Sequence, residues 1–434
     1  MLFRSIFARK HFYLFKFFYY LICLPANDII GIIFLRVLFM LSDKRKLNIN
    51  YSSVQALYWM LSGVIFGFTT VFLQHKDFSN SEVGIVLALG NIFGFLLQPI
   101  IAGAIDRKGN KTLFLWIYEV VAISAIIAFL TFILPMRGIV LSAAFIIMIA
   151  GNILLQPLCI SLCFYIESRV CSINFSSARA IGSLFYSVCT LSLGFIVEKL
   201  GPDTVPLSYL ILSVIFGLLT LRSTLLIRRF GHHETEGQDA VSDNSSGIIE
   251  FLRENKRFCL FLIATSMLFF THGLIGNFMI EFIRNVGGNS SDLGGLLAFM
   301  ALCEVPVMLL FQRISNKVSC SSILRFAVIM FTIKELMIYL APNVTMIYLG
   351  ELFQALSFAL FVPASVLYVN KTVSKSNSAK GQAFVTSMIT LGNTFASLIG
   401  GRLLDSGGAS FTLLVGVIVS GLGTIILLPA IKKC

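Results

Sequence analysis

Gly103-Ala-Ile-Asp106-Arg107-Lys108-Gly109-Asn110-Lys111 is a short basic break between two long apolar runs, and outward from it in both directions the same alternation repeats along the chain. A bilayer core about 30 Å thick takes roughly 20 apolar residues as helix, because lipid offers no partner to an unpaired backbone group. The chain is 57% hydrophobic and only 12% charged, against about a quarter charged in soluble domains. A soluble core is excluded. The formal charge of +12 sits in the connectors between apolar runs and forms no basic recognition face, so nucleic acid is not an expected partner.

Twelve spans are expected, at 52–74, 81–104, 112–134, 139–166, 179–199, 206–227, 257–282, 293–313, 322–340, 344–368, 382–404 and 410–430. With residue 52 placed on the cytoplasmic side, that side collects most of the Lys and Arg of the connectors, from Arg107, Lys108 and Lys111 through Arg228 and Arg229 to Lys432 and Lys433. The other side keeps Lys76, Arg137, Lys199, Arg284 and Arg402. The positive-inside rule then puts both ends of the twelve-helix body in the cytoplasm and the protein in the cytoplasmic (inner) membrane.

The expected organisation is an extension at 1–50, a six-helix bundle at 51–227, a cytoplasmic linker at 228–256 and a second bundle at 257–434. The linker is polar and Gly- and Ser-containing, unable to bury a core; its adjacent His232 and His233 have no further ligand at metal-site spacing. The extension mixes Arg4, Arg9, Lys10 and Lys16 with aromatic runs and is broken at Pro25-Ala-Asn27-Asp28. It reads as an interfacial basic segment, as an extra span, or as residues preceding a true start at Met40.

The halves echo one another. Gly103-Ala-Ile-Asp106-Arg107 after the second span is matched by Phe311-Gln-Arg313-Ile-Ser-Asn316-Lys317 after the eighth. Gly194-Phe-Ile-Val-Glu198-Lys-Leu-Gly201 ends the fifth span, and Gly401-Arg-Leu-Leu-Asp405-Ser-Gly-Gly408 ends the eleventh. Parallel repeats of this kind are a hallmark of two-bundle carriers.

On these features the chain resembles the major facilitator superfamily. The stretch Gly103, Asp106, Arg107, Gly109, Lys111 is similar to that superfamily's signature between helices two and three, and the resemblance gives it a gating role: Gly103 admits a close helix, Asp106 meets a helix N-terminus or a base, Arg107 holds a facing helix. Within the superfamily the pattern is closest to the lactose permease-like oligosaccharide/proton symporters and related nucleoside permeases. Phe164-Tyr-Ile-Glu167 and Asn174-Phe-Ser-Ser-Ala-Arg179-Ala-Ile-Gly182 resemble the sugar-contacting end of helix four and start of helix five. The resemblance assigns solute contact to Glu167, Arg179 and Tyr186, with Cys163 a competing position for the acid. Leu302-Cys-Glu304-Val-Pro306 resembles an acid-containing element of helix eight in the same families, and it implies sugar contact and proton coupling for Glu304. Lys334 stands where that pattern has an arginine. Glu351, Gln354 and Ser357 replace its lysine, histidine and glutamate, which leaves proton coupling to Glu304, Glu351 or Glu335.

Read from the residues, a carboxylate inside a span is a functional group by default, because it takes a proton from one side and gives it up on the other. Its structural alternative is a fixed ion pair, for which Lys334 and Glu351 are available. Gln354, His272, Asn277 and Tyr58 are further solute-contact candidates. Single intramembrane polar groups such as His272, Asn277 and Glu119 also serve as helix–helix hydrogen bonds, and Tyr58 with Trp59 also suits an interfacial aromatic belt. The nine cysteines show neither a CxxC nor a disulfide framework. No phosphate-binding loop, nucleophile–base set or metal-ligand pair occurs, so no cofactor and no enzymatic role is expected. The function implied is alternating-access, proton-coupled uptake of a di- or oligosaccharide by a monomer. Nucleoside uptake, drug or metabolite efflux, and a non-transporting membrane sensor are the alternatives.

Overall fold

The computed structural model describes residues 43–108, 110–135, 137–230, 253, 255–374 and 377–431, with side chains left aside at 43–44, 106–108, 110–111, 176, 230 and 379. The helices are α1 (Asp43–His75), α2 (Asn80–Lys108), α3 (Asn110–Ile133), α4 (Gly138–Arg169), α5 (Phe175–Leu200), α6 (Thr204–Phe230), α7 (Lys256–Asn285), α8 (Ser290–Ser315), α9 (Cys320–Tyr339), α10 (Val344–Leu352), α11 (Phe358–Thr372) and α12 (Ser378–Ala430). Much of the linker, with His232 and His233, and most of the 1–50 extension lie outside the described residues.

Among the described residues, ten stretches are long and apolar enough to cross a bilayer, α10 and α11 counting together as one. The last is 51 residues long and turns back on itself at Gly408, where φ is 73° and ψ is −174°. Neighbours on α7 demonstrate the reversal: Gly392 and Gly400 lie against Phe270 and Leu274, and then Gly416 meets Leu274 again and Gly423 meets Met267. Helix α9, with Arg325, Lys334 and Glu335 in its 20 residues, falls outside a simple hydropathy test. It is nevertheless packed among α10, α11 and α12. With α9 included and α12 taken as two limbs, the described residues make twelve crossings in two six-helix halves.

The largest departure from the hydropathy reading is at the start of the first span. Helix α1 starts at Asp43 rather than near 52, because its polar first turns are fastened to the rest of the half. Asn48 donates from Nδ2 to the Ser172 carbonyl at 3.2 Å and accepts from the Asn174 amide at 3.2 Å. Asn50 donates to Ser223 Oγ, and Leu47 is fully buried. Hydropathy counts these amides against a helix that their hydrogen bonds in fact hold in place.

The halves meet most extensively along two crossings, α2 against the first limb of α12 and α5 against α8. Both are Gly-lined and equivalent by the repeat: Gly194 lies on Gly294, and Gly84 on Gly401 and the Ser397 carbonyl. Small residues let backbones approach in lipid, where packing replaces the hydrophobic drive between helices. A side chain at Gly194 would meet Gly294 Cα and the Ser290 carbonyl, both 2.8 Å from its Cβ. Gly194→Leu is therefore expected to cost about 1–3 kcal/mol through overpacking, read as a lower thermal midpoint in detergent. Gly421→Leu, where nothing lies within 4 Å of an added Cβ, is expected to leave the midpoint in place.

Candidate functional site

Between the halves lies a cavity of about 410 Å³, lined from one side by Trp59, Phe66, Asn91, Arg179 and Tyr186 and from the other by His272, Asn277, Glu304, Gln354 and Phe358. Its size falls within the range of roughly 300–1,000 Å³ usual for small-molecule sites. A larger hollow of about 580 Å³ between α1, α5 and α6 is walled by side chains such as Phe185, Val188 and Ile215. Its mostly apolar walls suit acyl chains, whereas the cavity between the halves converges polar groups from both. The functional site is therefore placed in the smaller one.

On the first wall, Arg179 stands one turn into α5, whose start is fixed by Asn174 accepting from the Ser177 amide at 3.0 Å. Its guanidinium lies 3.7 Å from the centroid of the Trp59 ring and donates to Ser183 Oγ at 2.6 Å. A planar cation on an indole face is the favoured cation–π geometry. Gly182 makes room for this ring, since a Cβ there would overlap Trp59 Cδ1. Tyr186 lines the same wall one turn farther along.

On the second wall the tenth crossing is broken. α10 ends at Leu352, a short 3₁₀ turn covers Phe353–Ala355, and α11 begins at Phe358. Interrupted helices turn side chains and backbone toward a midplane site. Here the break swings Gln354 between two charged helices. Gln354 donates from Nε2 to Glu304 Oε1 at 2.9 Å and accepts from Lys334 Nζ at 2.7 Å. Lys334 Nζ in turn lies 3.1 Å from Glu351 Oε2, and both side chains have no exposure at all. The result is a continuous polar chain, Glu304–Gln354–Lys334–Glu351, with only its Glu304 end and Gln354 at the cavity surface. A buried pair of this kind needs its partner, because removing either leaves an uncompensated charge in low dielectric.

The other candidates fall into two groups. His272 lines the cavity, stacked on Phe358 at 4.9 Å between ring centroids with Phe269 and Phe331 edge-on, and its Nδ1 has no partner. Asn277 also lines the cavity and donates to Ser397 Oγ at 2.8 Å. By contrast, Tyr58 is buried behind Trp59, edge to face at 5.2 Å. Glu167 is exposed at the end of α4, where Oε1 accepts from the Ile173 amide at 3.1 Å and closes the α4–α5 turn. Cys163 is buried in the packing of the first half, and Glu119 faces outward from α3. Glu335 is buried with Oε1 unpartnered, away from the cavity wall. Of the loop after α2, Gly103 is described, while the side chains of Asp106, Arg107 and Lys111 and the whole of Gly109 lie outside the described residues.

Sequence reasoning passed over Asn91, Phe66 and Phe358. Asn91 had a usable signal, an amide within the apolar run of the second span. The two phenylalanines had none, being two among 41 in the chain.

A family model described as the MFS_1 like family matches residues 48–415. The uncharacterized transporter YwbF of Bacillus subtilis (strain 168) is 23% identical over 374 residues, covering 82% of this chain and 87% of that protein. The maltose permease of Geobacillus stearothermophilus is 22% identical over 261 residues, 60% of this chain and 64% of that one. The crystal structure of the nucleoside transporter NupG shares the fold, with a TM-score of 0.69 at 16% identity over 88% of this chain and 98% of that chain.

The chain has only two tryptophans, which makes the Arg179–Trp59 stack observable. With Trp116 replaced by Phe, Arg179→Ala is expected to shift and brighten or quench the remaining indole emission, and Gly182→Ala to shift it by displacing the ring. Emission unchanged in both variants would contradict the stacked arrangement.

Proposed function

The chain belongs to the MFS_1 like family, as a multi-pass membrane transporter of the major facilitator type, and from that premise we propose that it carries a hydroxyl-rich solute of the di- or oligosaccharide class together with protons. The observation that carries this reading is the placement of Arg179 and Glu304 on opposite walls of one cavity. A guanidinium and a carboxylate lining one cavity recognise hydroxyl groups by directional, charge-assisted hydrogen bonds, and the aromatic rings of its walls suit the apolar face of a sugar. The cavity opens to one side at a time as the halves, 51–227 and 257–434, rock about it, with 228–256 as their cytoplasmic tether and the cytoplasmic membrane as their setting.

Proton coupling is supported by charge balance. Arg179 and Lys334 are matched against Glu304, Glu335 and Glu351, so one added proton neutralises the set, and uncompensated charge in a membrane interior is costly. Glu304 is the ionisable member of the polar chain on the cavity surface. A solute bound there competes with Gln354 for the carboxylate, and through Gln354 the change reaches Lys334 and Glu351. A second reading, nucleoside transport, draws on the His272–Phe358 stack and the free His272 Nδ1, which suit a planar base with a hydrogen-bond donor.

Uptake of labelled disaccharides and nucleosides into proteoliposomes, with and without an imposed pH gradient, separates these readings. Disaccharide accumulation that needs the gradient is the expected result. Glu304→Gln is expected to abolish accumulation against the gradient while exchange of solute across the membrane persists. Arg179→Ala is expected to weaken solute binding about tenfold or more, the loss of a charge-assisted hydrogen bond. Undiminished accumulation by Glu304→Gln would remove that residue from coupling.

A further inference from the structure

One end of the body, where α1 turns into α2, is fastened across the two halves by a set of polar contacts that the solute site does not use. Thr70 Oγ1 donates to the Asn277 carbonyl at 2.6 Å, beside the kink in α7 at Phe278. Gln74 donates to Glu281 Oε1 at 3.0 Å and accepts from Arg284 at 2.7 Å. The remaining contacts are made by two acids. Asp405, at the end of the first limb of α12, accepts from the Asn80 amide at 3.1 Å, the Ser81 amide at 2.8 Å and Ser81 Oγ at 2.5 Å. Glu198, at the end of α5, accepts from the Ser290 amide at 3.1 Å.

These acids cap the first turns of α2 and α8, each from the opposite half. First-turn amides have no partner inside their own helix and carry the positive end of its dipole, so an acid there stabilises twice over. Each helix start also holds its own capping box: Ser79 with Glu82, and Asn289 with Asp292. The boxes serve some of the first-turn amides, and the opposite half supplies acceptors for the Asn80, Ser81 and Ser290 amides. Gly194 and Glu198 recur as Gly401 and Asp405 at the same 207-residue offset that separates Thr70 from Asn277. One device is thus written twice in the chain.

We propose that Glu198 and Asp405 are positioning residues for transport, a symmetric pair of acid latches that hold this end shut by capping helices of the opposite half, and whose release sets how often the cavity faces that side. The proposal rests on the contacts between halves and not on the identity of the solute.

Spin labels at Ile139→Cys and Leu340→Cys report the spread of this end, with the other reactive cysteines replaced by Ser. Both positions are exposed, at 87% and 61%, at that end of opposite halves. In nanodiscs without solute, Asp405→Ala and Glu198→Ala are each expected to move population from short to long inter-label distances, raising the open-to-closed ratio by about tenfold, the order seen for a lost helix cap. The double variant is expected to move it further. Ser81→Ala, which removes only the hydroxyl contact, is expected to give a smaller shift of the same sign. Asp203→Asn serves as the comparison, because Asp203 pairs at the same end with Lys76 at 2.6 Å inside one half; it is expected to leave the distances alone. Unchanged distances in the double variant, or an equal shift in Asp203→Asn, would overturn the assignment.

Discussion

Lys334 has no exposure to solvent or lipid, and the requirement that such a charge find an opposite partner organises the second half of the molecule. Glu351 answers it directly at 3.1 Å. The cost of an unpartnered ammonium in low dielectric is several kcal/mol even after relaxation, more than the few hydrogen bonds given up where the tenth crossing breaks after Leu352. That break is what frees Gln354 to reach both Lys334 and Glu304. The polar chain from the cavity surface to the packed interior is therefore a consequence of placing one lysine in the ninth crossing, and the interruption of the neighbouring helix is the structural form its accommodation takes.

The crossings were legible in the chain because lipid imposes a single rule on backbone groups, and apolar length records it. The rule loses its hold where polar residues are satisfied by neighbours distant in sequence. Asn48 and Asn50 look like the end of a span but bind the α4–α5 turn and α6, so α1 runs on to Asp43. The charged residues of α9 depress its hydropathy although Lys334 and Glu335 point into the protein.

The site was legible in its charges and less so in its rings. Arg179, Glu304, Gln354 and Lys334 announce themselves because ionisable or amide groups are rare inside apolar spans, and the structure brings them to one place. Glu167 has the same chemical type as Glu304, but it sits at the end of its helix, where a carboxylate serves a turn. Tyr58 and Trp59 are adjacent in sequence and point in different directions; only the helix phase relative to a cavity, which hydropathy does not encode, decides that Trp59 is the one at its surface. The repeat between halves carried more than topology, since the glycines and acids that recur at equivalent positions are those by which the halves touch.

The stack of Arg179 on Trp59 has a bearing on how a guest is oriented. An indole face already covered by a cation offers no platform to a second ring, while the guanidinium itself lines the cavity. Across the gap, the rings of Phe358 and His272 stack on each other. The cavity is in this sense polarised, with a stacked cation on one half and open ring faces beside Glu304 and Gln354 on the other. A molecule that satisfies both bridges the dyad in one orientation, and so becomes itself a strut between the two moving bodies.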